Sequence, residues 1–177
     1  MKRRHLVSLL GALIAMLSVV ATSAASPPRN FVTPMSGAEE VPARDTHGRG
    51  AGIFQLSADG QSMSYRLIAS NIENVFMAHI HVGPADGTGP IVVWLAPSTT
   101  PGVTLPLGGG RHDGVLATGT FTAANFTGPL AGASMDDLVQ ILASGGAYVN
   151  VHTNDGIDPP NTGAGDFPGG EIRGQID

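Results

Sequence analysis

The sequence predicts an all-β fold, a Greek-key β-sandwich or partly closed barrel of about eight strands with one short helix. Short runs alternate apolar and polar residues with the period of two that places successive strand side chains on opposite faces. Between them, 25 Gly and 13 Pro in 177 residues supply breakers at the spacing of tight turns. One stretch alone carries a helical period, and no internal repeat is present.

Taken in order, the chain opens with Lys2, Arg3 and Arg4, an apolar run from Leu6 to Val20 and the small residues Ala21 to Ala25. This is the pattern of a secretory signal peptide, too short for the ~20 apolar residues of a membrane span. Residues 1–25 are therefore set apart from a single domain over 26–177, which is expected to be released without a transmembrane anchor, secreted or periplasmic. Phe31 to Met35 reads as a first strand that Pro34 confines to a sheet edge. Phe54 and Leu56 share a face in the next run, and beyond the Asp59-Gly60 turn Met63, Tyr65, Leu67 and Ala69 share one too. The two runs predict a hairpin.

Val75 to Val82 alternates Phe76, Ala78, Ile80 and Val82 with Val75, Met77, His79 and His81. After the loop GPADGTGP, Ile91 to Leu95 forms a buried strand; residues 96–113 are a long loop, and 114–122 alternate again. Ser134 to Ser144 is the helix: Ser134 caps it, Asp136 and Asp137 occupy its first turn, and Leu138, Ile141 and Leu142 form its apolar stripe. Gly145 and Gly146 stop it. Tyr148 to Thr153 and Glu171 to Ile176 close the fold, each with one apolar face and one bearing His, Asn, Glu, Arg or Gln.

Beyond residue 25 six arginines and no lysine face fourteen carboxylates, a net charge of about −8 that repels nucleic acid. With no Cys, the domain is disulfide-free and depends on packing or a ligand. There is no GxSxG elbow and no phosphate-binding glycine loop, and no catalytic residue is assigned.

Five motifs together resemble the CHRD domain, the module repeated in chordin and found singly in secreted bacterial proteins: Met35 to Pro42, GAGIFQL at 50–56, AHIHVG at 78–83, GAYVNVHT at 146–153 and PGGEIRGQI at 168–176. The departure is the insertion NDGIDPPNTGAGDF, residues 154–167, ahead of the last motif. The resemblance implies an extracellular or periplasmic all-β module whose biochemical role is poorly defined; with no nucleophile motif in the chain, it is expected to be non-enzymatic. The growth-factor antagonism of the animal multidomain protein is not expected of a single domain lacking its Cys-rich modules.

The chemistry-bearing residues gather on one face. His79 and His81 project from the same side of one strand about 7 Å apart at Cα, within reach of one metal. If the strands pair, His152 joins them, and three imidazoles without a thiolate suit copper or zinc. Glu171 is placed to accept the ring N–H of a ligand histidine. His-X-His on a strand is similar to the copper strand of copper-zinc superoxide dismutases, without that family's fourth His or bridging ligand.

Two readings follow. In the first, His79, His81, Asn150, His152, Glu171 and Arg173 form a solvent-facing polar surface of a non-enzymatic module that binds an unknown protein partner. In the second, the protein binds copper or zinc through His79, His81 and His152. A structural alternative makes these histidines hydrogen-bonded members of a polar sheet face, with Glu171 and Arg173 in ion pairs. His47 and His112 are expected in solvent-facing loops. The 154–167 insertion is a lid or rim beside the histidines, with Asn154, Asp155, Asp158 and Asp166 in a solvated turn. Phe31, Phe54, Tyr65, Trp94 and Phe121 are expected in the core.

Overall fold

The computed structural model describes residues 28–97, 108–157 and 159–177. The leader with His5, most of the 96–113 loop and Asp158 lie outside the described residues. Eight strands form one antiparallel sheet: β1 (Asn30–Ser36), β2 (Arg49–Leu56), β3 (Ser62–Glu73), β4 (Val75–Val82), β5 (Ile91–Ala96), β6 (Arg111–Thr122), β7 (Ala147–Thr153) and β8 (Ile172–Ile176). Their spatial order, β5-β4-β7-β8-β1-β2-β3-β6, curls into a nearly closed barrel. The two ends of the sheet are bridged by Tyr65 of β3, whose hydroxyl donates to the Leu95 carbonyl of β5 at 2.6 Å, and by Thr127, beyond β6, whose N–H donates to the Val92 carbonyl of β5 at 3.0 Å. Among the described residues no helix is long and apolar enough to cross a membrane.

The hairpin of β2 and β3 forms where the alternation places it, with Phe54 opposite Tyr65 and Leu56 opposite Met63. Gly60 takes the turn with φ 73°, a conformation that costs a residue lacking Cβ nothing. The helix α1 (Met135–Ala143) is capped by Ser134 and Asp137, whose side chains each accept from the other's backbone N–H. Such a cap contributes ~1 kcal/mol. Its buried residues are Met135, Leu138, Val139 and Leu142, while Ile141 is half-buried.

Phe31, Phe54, Tyr65, Ala78, Ile80, Phe121, Val149, Val151 and Ile172 belong to the buried core. Burying an aliphatic or aromatic side chain of this size stabilises by roughly 1.5–3 kcal/mol, so the inward face of the strands dominates the folding energy.

Four expectations change. β1 is internal, not an edge: it pairs with β2 throughout but meets β8 only at Ser36↔Arg173, so the N–H that Pro34 lacks interrupts no continuous ladder at that seam. β6 begins at Arg111, which places His112 in a strand opposite Ile72 and half-buried instead of in a solvent-facing loop. Trp94 is half-buried against His79 and does not join the core. Asn154, expected with Asp166 in a solvated turn, is buried, and so is Asp166. Its Oδ2 accepts from the Thr162 N–H and so closes the turn in which it lies.

Candidate functional site

β4 and β7 are neighbours, with His79 opposite Asn150 and Met77 opposite His152. β7 in turn pairs with β8, with Asn150 opposite Arg173. This register brings His79, His81, Asn150, His152 and Arg173 onto one side of three adjacent strands. The expected solvent-facing surface is nonetheless covered: His79, His81, Asn150, His152, Glu171 and Arg173 are all buried. Loop 83–90 lies over one end. Its Gly87 and Pro84 carbonyls accept from Arg173, the Gly89 carbonyl lies 2.8 Å from His81 Nδ1, and the Gly89 N–H donates to the Tyr148 hydroxyl. At the other end the Pro168 carbonyl, just past the insertion, lies 2.8 Å from His152 Nδ1.

A backbone carbonyl only accepts, so these two contacts require that Nδ1 of His81 and of His152 carry the proton. In the neutral rings Nε2 is then a bare lone pair. Burial keeps the rings neutral. It holds His79 down to about 2, helped by His152 and His81, and His152 down to about 4, opposed by the Pro168 carbonyl. Burial lowers His81 as well, with the Gly89 carbonyl opposing. Neutral imidazole is the form that ligates metals.

Ligand nitrogens of His79, His81 and His152 all lie within 4.8 Å of one another. Nδ1 of His79 and Nε2 of His152 are 3.2 Å apart, close to the ~3.3 Å between two nitrogens bound tetrahedrally at ~2.0 Å. Two such bonds span at most ~4.2 Å, so a single ion that bound all three rings would have to draw the wider pairs, up to 4.8 Å, together. Nε2 of His79 and of His81 have no hydrogen-bond partner. Leaving a buried polar atom unpaired costs ~1–3 kcal/mol, a penalty that coordination relieves.

Aromatic rings fix the orientation. Tyr148 stacks on His81 with centroids 4.8 Å apart and planes at 4°, and the Arg173 guanidinium lies 3.4 Å from the centroid of the same tyrosine ring. Trp94 meets His79 edge-on at 4.2 Å. Glu171 does not take the place expected for it. Its carboxylate accepts from the Thr46 and Thr153 hydroxyls and the Gly165 N–H, and from no histidine. The ladder begins only at Ile172, so Glu171 lies in the entry turn where strand alternation does not fix its direction. The ring N–H groups of His81 and His152 are instead accepted by the carbonyls of Gly89 and Pro168. Nor do Glu171 and Arg173 form ion pairs; the one pair among the described residues is Arg111 with Asp113, on the surface.

Sequence reasoning missed Glu40. This buried carboxylate lies on the Asn150 side of Gly170, and burial pushes it up to about 7 against the opposing pull of Arg173, Arg44 and Asn150. It comes from an aperiodic segment between β1 and β2, and the only signal for it was its place in the Met35 to Pro42 motif.

Comparison with protein families matches the CHRD domain over residues 31–176. The chain belongs to the CHRD family. Neither the curated proteins nor the solved structures give a match. Within the CHRD domain the buried polar face is built from three of the motifs that carry the resemblance: AHIHVG supplies His79 and His81, GAYVNVHT supplies Tyr148, Asn150 and His152, and PGGEIRGQI supplies Pro168 and Arg173.

Proposed function

We propose that this CHRD domain is an exported binding module that holds a divalent transition metal, copper or zinc, through His79, His81 and His152. The observation that carries the reading is the convergence of three buried, neutral imidazoles whose ligand atoms lie within 4.8 Å of one another. Three nitrogen donors without thiolate suit Cu(II) or Zn(II). The metal would join β4 and β7 on the side facing loop 83–90 and Pro168, so holding the segments that cover it.

The recognition role expected of the polar face takes a different form in this reading. With the face buried, a protein partner meets the two covering loops and not His79, Asn150 or Arg173. The domain is thus an interaction module whose loop surface is set from beneath by an ion. A binding role is favoured over a catalytic one because the histidines are too enclosed for a substrate to reach, and Glu171, the expected acid or base, is engaged by Thr46, Thr153 and Gly165.

The test is calorimetric titration of the purified protein with Cu(II) and with Zn(II), beside the His79→Ala, His81→Ala, His152→Ala triple variant. Trp94, the single tryptophan of the chain, stands against His79 and provides an independent fluorescence signal for Cu(II). The expected outcome is one tight site in the wild type and none in the variant. Equal, weak uptake by both would sink the reading.

A further inference from the structure

Asn150 poses a problem that the three histidines alone do not resolve. Its Oδ1 lies 3.0 Å from Nε2 of His152. The Pro168 carbonyl has already placed the single ring proton of His152 on Nδ1. Two lone pairs therefore face each other in a site where Asn150 is 3% and His152 6% exposed. The Asn150 side chain also reaches toward His81, whose Nε2 finds no well-aligned partner.

Rotating the amide would direct Nδ2 to His152, but it would turn Oδ1 toward Glu40. That would take the donor Nδ2 away from the side on which Oε1 of Glu40 lies without a hydrogen-bond partner. Gly170 explains how Glu40 comes so close: with φ 117° and no Cβ, it leaves room where a side chain would strike Oε1 of Glu40 and crowd Nδ2 of Asn150 at 2.9 Å. The amide oxygen is thereby aimed, without a donor, among the nitrogens of the histidine cluster. What satisfies an acceptor in that setting is a cation.

We infer that Oδ1 of Asn150 is the fourth ligand of the metal site and that Glu40 is the positioning residue that holds the amide in its ligating orientation. The inference rests on the metal reading above and makes the site a closed one. A tetrahedral metal with four protein ligands is structural, whereas a catalytic site keeps a position open. An amide oxygen is also a harder donor than thiolate or thioether, which favours the divalent ions over Cu(I).

The experiment loads the wild-type protein, Asn150→Ala and Asn150→Asp with Co(II), follows the visible bands of the four-coordinate ion, and then adds azide. The wild-type spectrum is expected to be that of a four-coordinate site and to ignore azide. Asn150→Ala, with an open position, should bind azide and hold Co(II) about 10- to 100-fold more weakly, while Asn150→Asp, which keeps an oxygen donor, stays closed. Azide perturbing loaded wild type as it does Asn150→Ala, or Co(II) affinity of Asn150→Ala within about twofold of wild type, would overturn the fourth ligand and leave the three histidines standing. Wild type that takes up no Co(II), Zn(II) or Cu(II) would overturn both. Should Asn150→Ala fail to fold by circular dichroism, the azide response of the wild type decides alone.

Discussion

At the scale of single residues, the site is a set of groups kept from their preferred protonation in water. His79 and His152 are held down to about 2 and about 4 by burial, so the folded protein carries fewer protons on them than the unfolded chain does below pH 6.5. Unfolding then takes up protons, and stability falls as pH drops through that window. His81, also lowered, acts in the same direction. Glu40 acts oppositely: pushed up to about 7, it keeps a proton that the unfolded chain has lost, and so adds stability as pH falls from about 7 to about 4.5. Three imidazoles outweigh one carboxyl. The metal-free protein should lose on the order of 1–3 kcal/mol per pH unit between about pH 6 and 5, read from urea unfolding. Stability that is flat or rises over that interval would show that these rings are not buried neutral. His79, His81 and His152 were legible in the sequence because alternation assigns a strand residue to a face before any coordinates exist. Glu40 was not, because its segment has no period and reaches Asn150 only through tertiary packing.

At the scale of elements, the covering loops do the positioning that the sequence assigned to Glu171. Loop 83–90 was visible as a stretch of Gly, Pro and Asp, but nothing in its composition says that its carbonyls orient His81 and hold Arg173. Gly89 is the residue on which this depends, since a Cβ there would collide with the Val82 carbonyl. Gly89→Ala should therefore push the loop outward, costing roughly 1–3 kcal/mol of stability and weakening metal binding about tenfold as His81 loses its fixed tautomer. Parallel denaturation and Zn(II) titration measure the two effects, and an unchanged affinity would mean that the Gly89 carbonyl does not set the ring. The helix and the hairpin of β2 and β3 were fully legible, because capping residues, a Gly turn and local period suffice for them. The ends of strands were less so: β6 starts three residues before its alternation becomes regular, and β8 starts one residue after Glu171, since ladder pairing and not periodicity sets those limits.

At the scale of the whole molecule, the barrel order makes the site. β4 and β7 are separated in sequence by two strands and a helix, yet they lie side by side with Asn150 opposite His79. The sequence showed that such strands exist and which residues share a face, and it posed the convergence of the three histidines as conditional on pairing. It could not supply the order, because the pairing depends on how the sheet curls to bury Ile80, Val149 and Val151 on its other side. It also could not show that the polar face is covered, since burial of an outer face is decided by loops that carry no periodic signal. A chain with no disulfide gains from an ion that ties adjacent strands together beneath two loops. X-ray absorption at the metal edge, on protein loaded with one equivalent of Zn(II), tests that claim most directly. The account predicts three imidazole nitrogens at ~2.0–2.1 Å with one oxygen at ~2.0–2.2 Å; a shell of oxygen scatterers with no imidazole signature would contradict it.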